Sequence, residues 1–196
     1  MRVVGLDIRP PPSFDTNRWT GLSCDVAEEQ AWATVMNGIV RDLGAPDILV
    51  NAAGVSGLGQ QDPASAKAWT ETLRTDLIGS WLGMRTVLPH MTARGSGAIL
   101  NIGALATQQP FPLAGLGAYT AAKAGIEAVT RSTALEVASA GVAVNCVAPG
   151  PIETPMMQTA MPKEARAGYL ARIPMGRVGS RDQRCQWGVG LRCQIP

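Results

Sequence analysis

One histidine, His90, and four cysteines, Cys24, Cys146, Cys185 and Cys193, are all that this 196-residue sequence offers as soft metal ligands. No two cysteines form a C-x-x-C pair, so neither a zinc site nor a disulfide framework is expected. His90 follows Pro89 at a helix end and reads as a surface or helix-terminal residue. Thiols left free fit a reducing, cytoplasmic setting. An excess of one charge is missing too: 17 Lys+Arg against 15 Asp+Glu leave +2. That balance argues against a nucleic-acid or anionic-membrane partner. No apolar run approaches the roughly 18 residues that span a bilayer. Met1 to Asp7 is apolar too briefly for a signal peptide, and Pro10-Pro11-Pro12 ends it. Aromatic residues make up only 5%. What is present is 46% hydrophobic sequence with 22 glycines, enough for the core of one domain and typical of α/β chains with tight turns.

The order of elements alternates. Arg2 to Ile8 is a short apolar strand ending near an acid, followed by a loop through Pro10–Pro12 and Ser13-Phe14-Asp15. Val26 to Leu43 has helical spacing, with Ala27, Ala31, Val35 and Ile39 on one face, and Gly44 and Pro46 stop it. Ile48-Leu49-Val50 is a strand that runs into the small turn Asn51-Ala52-Ala53-Gly54. Ala66 to Met91 is a long helix with a stripe of Trp69, Leu73, Leu77, Trp81, Met84 and Leu88. Ala98 to Ile102 is a strand, and a loop with Pro110 and Pro112 leads to a helix over Ala118 to Ala140. Val142 to Val147 is the last strand, ended by Pro149-Gly150-Pro151, and short helices run to about Arg177. Repeated strand–helix units predict a doubly wound, Rossmann-like parallel sheet. Strands without alternation predict helices on both sheet faces.

In such sheets ligands bind beyond the carboxyl ends of the strands. Those ends hold Asp7, Asn51 to Gly54, Asn101 to Ala104 and Pro149 to Thr154. A carboxylate at Asp7 suits the two ribose hydroxyls of an adenine nucleotide and repels a 2′-phosphate, although a helix cap or loop role uses the same residue type. Tyr119 and Lys123 lie four apart at a helix start, on one face. A phenol with a reference pKa of about 10 is a poor base, and an adjacent cation favours its phenolate. The turn Pro149-Gly150-Pro151-Ile152-Glu153-Thr154 can aim backbone groups and a hydroxyl at a carboxamide or phosphate, or simply leave the sheet.

Asn51-Ala52-Ala53-Gly54, Tyr119-x-x-x-Lys123 and Val144-Asn145-Cys146-Val147-Ala148-Pro149-Gly150-Pro151-Ile152-Glu153-Thr154 together resemble the short-chain dehydrogenase/reductase family. Cys24-Asp25-Val26 and Gly176-Arg177-Val178-Gly179 resemble further segments of it. The resemblance covers residues 1–179 as a partial Rossmann-like domain and leaves 180–196 as a tail outside the family pattern. It implies hydride transfer between NAD, rather than NADP, and a small alcohol or carbonyl substrate. Tyr119 would be the general acid/base, and Lys123 would lower its pKa and hold the nicotinamide ribose. Asp7 would take the adenosine ribose, and Asp25 and Val26 would flank the adenine. Asn51, Ala52, Ala53 and Gly54 would pack beside the cofactor, with Pro149, Gly150, Ile152 and Thr154 around its carboxamide. The Trp69–Met91 helix and the Tyr119 helix would form a homodimer or homotetramer interface.

The sequence also departs from the family. The Gly-rich phosphate loop of a first βα unit is not found, and neither Gly57-x-Gly59 nor Gly115-x-Gly117 completes its pattern. Ala104 stands at the serine position, with Thr107 as a nearby substitute, and Asp76 stands where the family usually has asparagine. The last strand is missing as well, and the tail suggests a shifted frame or truncation. These departures support an alternative: a catalytically silent fragment or pseudoenzyme acting through oligomerisation. Trp69 and Trp81 are expected in core or dimer contacts, and Arg166, Arg172 and Arg177 on a solvated face.

Overall fold

Val3–Asp7 (β1) pairs in parallel with Trp19–Ser23 (β2), Val3 opposite Trp19 and Asp7 opposite Ser23. The sequence reading passed over β2, because Trp19-Thr20-Gly21-Leu22-Ser23 is half polar and has no apolar run. The computed structural model describes residues 1–9, 18–56, 62, 64–108, 115–160 and 163–180, with backbone alone at 159–160 and 163–165. Pro10–Pro12 and Ser13–Asp15, Gly57-x-Gly59, Pro110 and Pro112, Cys185, Cys193 and the tail from 181 onward lie outside the described residues.

Next comes Glu29–Leu43 (α1), which ends at Gly44 in the positive-φ region (φ 89). Its buried side chains are Trp32 and Met36, one position away from the expected Ala31–Val35 stripe. Ile48–Asn51 (β3) follows, and then Ala66–Leu73 (α2), whose Ser65 hydroxyl accepts the Ala68 N–H. One π-helical turn, Arg74–Ile78, joins α2 to Gly79–Arg94 (α3), and α3 closes at Gly95 (φ 75). Gly97–Ile102 (β4), Gly117–Val137 (α4), Val142–Val147 (β5), Pro155–Ala160 (α5) and Lys163–Leu170 (α6) complete the order.

The strands β3, β4 and β5 form a three-stranded parallel sheet in that order, and β1–β2 is a separate pair. One core joins them: Leu6 packs with Trp32 and Met36 of α1, Val87 and Met91 of α3, and Ile99, Val142 and Val144 of the sheet. Leu49, Ile99 and Val144 share a register and therefore a sheet face, the one that α1, α3 and α4 cover. The alternate face is different. Ile48 is 59% and Val50 52% exposed, so the expectation of helices on both faces fails at β3 among the described residues.

The tryptophan stripe of the long helix also points elsewhere than the spacing suggested. Trp69 and Trp81 are exposed. The buried positions are Ala68, Thr72 and Asp76, then Gly79, Ser80, Leu82, Gly83, Met84, Val87 and Met91, so of the expected stripe Met84 does face inward. Small residues there allow close approach: a Cβ on Gly83 would meet Asn51 Oδ1 at 2.6 Å and Trp32 at 3.0 Å.

Candidate active site

The segments leaving β4 and β5 are tied together by their backbones. Gly103 N–H donates to Val147 O (2.8 Å) and Leu105 N–H to Pro149 O (3.0 Å). Into this edge comes the first part of α4. Lys123 is buried and donates to Ile102 O at 2.9 Å, at the carboxyl end of β4. Its Nζ lies 5.6 Å from the Tyr119 ring centroid, as a one-turn spacing on one helix face requires. The structure thus brings together Tyr119, Lys123 and the ends of β4 and β5.

Asp76 enters from the π turn. It is fully buried, and its Oδ1 accepts the Val55 N–H at 2.7 Å. Its Oδ2 makes no hydrogen bond and lies 3.4 Å from Lys123 Nζ, an ion pair rather than a formed hydrogen bond. Gly54 closes over it: an added Cβ would stand 3.1 Å from Oδ2. Burial pushes the Asp76 carboxyl above the usual carboxylate range, against the pull of Lys123 and the Val55 N–H. Tyr119 is also pushed up, first by burial and then by the Asp76 charge. The lowering expected from Lys123 alone is therefore not the balance found.

The serine position offers no hydroxyl, since Ala104 is buried there. Thr107 does not supply its own. Its Oγ1 lies 2.6 Å from Glu127 Oε1 and 2.9 Å from Ala104 O, and one proton serves one of these two acceptors.

Asp7 stands exposed at the end of β1 and spends one carboxylate oxygen on the Arg9 N–H (2.9 Å). Its carbonyl accepts the Cys24 N–H (2.9 Å), which sets Asp25 nearby. Asp25 accepts the Ala27 N–H (2.9 Å) in the turn before α1, and Val26 O accepts the Trp32 indole N–H (2.9 Å). Ala52 and Ala53 are exposed beyond β3. Asn51 turns inward, donating to Ser80 O (3.1 Å) and Asn101 Oδ1 (2.8 Å). Ile152 pairs with Gly179, and Thr154 Oγ1 accepts the Met157 N–H (3.2 Å) at the start of α5. Gly150 lies beside Leu105. Glu153 forms an ion pair with Arg166, so that arginine is not a purely solvated one, while Arg172 and Arg177 are exposed. His90 sits half-buried in the last part of α3.

Sequence reasoning missed the connection from Asn51 through Asn101 to Thr130. Asn101 Nδ2 donates to Thr130 Oγ1 at 2.9 Å. The available signal was a polar side chain at the end of each of two apolar strands.

By donor chemistry these residues fit parts of a nicotinamide dinucleotide. A carboxylate with an open oxygen at Asp7 suits a diol, and the polar turn from Pro149 to Thr154 suits an amide. A glycine-rich phosphate cradle is not among the described residues. Nor do three His, Cys, Asp or Glu side chains come together there as a metal site. No described helix is long and apolar enough to cross a membrane.

The family profile described as enoyl-(acyl carrier protein) reductase matches residues 13–187, which runs past residue 179. A 2-(R)-hydroxypropyl-CoM dehydrogenase of Xanthobacter autotrophicus is 37% identical over 195 residues, covering 93% of this chain and 77% of that protein. A cis-4-hydroxycyclohexanecarboxylate dehydrogenase of Sinomonas cyclohexanicum is 37% identical, covering 81% of this chain and 63% of that protein. A crystal structure of a gluconate 5-dehydrogenase from Burkholderia cenocepacia, in complex with NADP and tartrate, superposes with a TM-score of 0.76 at 29% identity. That match covers 83% of this chain and 64% of the other. Motifs, parallel α/β architecture and relatives agree: the chain belongs to the short-chain dehydrogenase/reductase family.

Proposed function

We propose that this chain works as a nicotinamide-dependent oxidoreductase on a small alcohol or carbonyl compound, with Tyr119 as general acid/base. The observation that carries this reading is the placement of Tyr119 one helical turn from a buried Lys123, itself anchored on Ile102 O at the carboxyl edge of the sheet. Tyr119 gives its proton to the substrate oxygen in reduction and takes it back in oxidation. Lys123 positions the phenol and holds the nicotinamide ribose. When bound, the nicotinamide supplies or accepts the hydride. Asp7 holds the adenosine ribose and favours NAD over NADP by repelling a 2′-phosphate, with Asp25 and Val26 beside the adenine. Asn51 to Gly54 pack along the cofactor, and Pro149, Gly150, Ile152 and Thr154 take its carboxamide end. The outer faces of α3 and α4, with exposed Trp81 and Leu135 and a groove of about 370 Å³ between them, suit pairing with a second copy. A cytoplasmic setting agrees with the unpaired thiols of Cys24 and Cys146.

The test is Tyr119→Phe assayed with NAD(H) against a panel of secondary alcohols and ketones. Loss of an acid/base group lowers kcat/KM by about 10²–10⁴-fold. Equal rates in both proteins overturn the assignment. Ala104, buried at the serine position, favours a second reading, a silent member acting through oligomerisation. Saturable quenching in an NADH fluorescence titration at micromolar cofactor argues against it; no binding at millimolar cofactor supports it.

A further inference from the structure

Among the described carboxylates, Asp76 alone is fully buried, and what holds it is unusual for a charge. A lone hydrogen bond, from Val55 N–H, satisfies Oδ1. Oδ2 has only the Lys123 ammonium, 3.4 Å away, and Gly54 seals the remaining side. The π turn fixes the aspartate in place, with Ser80 Oγ donating back to Asp76 O at 2.6 Å. A single π turn within a long helix is frequently a functional feature. Here it sets one carboxylate against the lysine that serves Tyr119.

The charges around Tyr119 can be followed element by element. Its own helix presents Lys123, and the π turn presents Asp76. Beyond Lys123 stand Glu127, occupied by Thr107, and the half-buried Cys146 thiol. On α2, Lys67 and Glu71 pair with each other on the surface, and at the start of the π turn Arg74 pairs with Glu28. The ammonium thus stands 3.4 Å from a carboxylate oxygen, with the centroid of the phenol ring 5.6 Å away. A paired cation and anion largely cancel at a third group. What remains at Tyr119 is burial first and the Asp76 charge second, and both favour the neutral phenol.

We propose that Asp76 is a positioning residue that takes the Lys123 ammonium as its own counter-ion and so keeps Tyr119 a proton-donating phenol, biasing the site toward carbonyl reduction. The inference rests on the acid/base reading of Tyr119. In reduction the substrate carbon takes a hydride from the reduced nicotinamide while its oxygen takes the Tyr119 proton, so the neutral phenol is the competent form. In oxidation the competent form is the phenolate, and Asp76 makes it scarce near neutral pH. The family's usual asparagine at this position carries no charge, so the restraint belongs to this sequence.

The experiment exploits the two tyrosines of the chain. Tyr169, buried and pushed up to about 12, is removed by Tyr169→Phe, which leaves Tyr119 as the only tyrosine. Its tyrosinate absorbance is then followed against pH in the full chain, within the range where circular dichroism shows the fold intact. Adding Asp76→Asn moves the Tyr119 midpoint down by about one pH unit, the low end of what a neighbouring charge does. Asp76→Glu, which keeps the charge, holds the midpoint up, and Asp76→Ser serves as the neutral variant if the asparagine fails to fold. In turnover, Asp76→Asn shifts the alkaline-activated limb of alcohol oxidation to lower pH by the same amount. A purely structural aspartate would alter stability and leave both midpoints alone. An unchanged or raised midpoint overturns the proposal even if Tyr119→Phe is inactive. A wild-type rate in Tyr119→Phe overturns instead the reading on which it rests.

Discussion

Asn101 has two amide protons and spends both inside the protein. One goes to Thr130 Oγ1 at 2.9 Å, the other to Met84 Sδ at 3.2 Å, while its carbonyl accepts the Asn51 amide at 2.8 Å. Thr130 passes its own proton to Ile126 O. This buried relay ties β3, β4 and α4 together, one residue before the Ile102 carbonyl that holds Lys123. Asn101→Ala leaves the Asn51 amide short of a partner and opens space beside Met84, so it costs about 2–3 kcal/mol. Urea unfolding reads that as a lower midpoint at an unchanged slope. A cost under about 0.5 kcal/mol would mean that water replaces the amide, and the relay is then not structural. The same residues show which part of the site was legible beforehand. Tyr119 and Lys123 announce themselves by spacing, because the helix period alone puts them on one face. Asn101 does not: a strand-end asparagine suggests a ligand contact, and only the tertiary neighbours Thr130 and Met84 reveal that it faces inward. Asp76 was readable as a departure from the family, but its contest with Tyr119 for Lys123 depends on a distance that no sequence carries.

At the level of elements, strand identity was easier to read than helix phase. Four strands are legible as apolar runs, Arg2 to Ile8, Ile48 to Val50, Ala98 to Ile102 and Val142 to Val147, and all four are present as β1, β3, β4 and β5, whereas β2 carries too few apolar residues to register. The helices are expected from their spacing too, yet the phase is off in α1, where Trp32 and Met36 face inward one position from the expected Ala31–Val35 stripe, and in the long helix, where the expected stripe includes Trp69 and Trp81. In the long helix Trp69 and Trp81 stay outside, while Gly79 and Gly83 face inward beside the larger Leu82, Met84, Val87 and Met91 and let neighbouring elements approach closely. Two glycine substitutions test this account with opposite signs. Gly38 lies inside α1 with open space where its Cβ would be, so Gly38→Ala stabilises by about 0.5–1 kcal/mol. Gly83 lies inside α3 against Asn51 and Trp32, both held by hydrogen bonds, and neither yields cheaply. Gly83→Ala destabilises by about 1–3 kcal/mol despite its better helix propensity. Thermal unfolding of the two variants decides it; equal shifts of one sign would show that propensity, not packing, governs both sites.

At the scale of the whole molecule, the second face of the sheet is open at β3 among the described residues. The lack of alternation in Ile48-Leu49-Val50 reads as a strand buried on both faces. Leu49 does meet α1 and α3 through the core, but Ile48 and Val50 open to solvent, and β3 has no neighbour beyond β4 among the described residues. An apolar strand with an open edge and an open face is a template for association. Natural proteins guard such edges with charge, and this strand carries none, so a single lysine there is an informative change. Val50→Lys is expected to leave unfolding free energy within about 0.5 kcal/mol, since an exposed valine loses little packing. It is also expected to lower the apparent mass in sedimentation velocity at high protein concentration. Leu135→Glu on the outer face of α4 provides the contrast. It breaks a discrete dimer through the helices if that is the stable assembly, and leaves association through the sheet untouched. A destabilisation of about 2 kcal/mol or more in monomeric Val50→Lys would mean that this face is covered within the molecule after all, since only a buried valine costs that much when it is replaced by a charge.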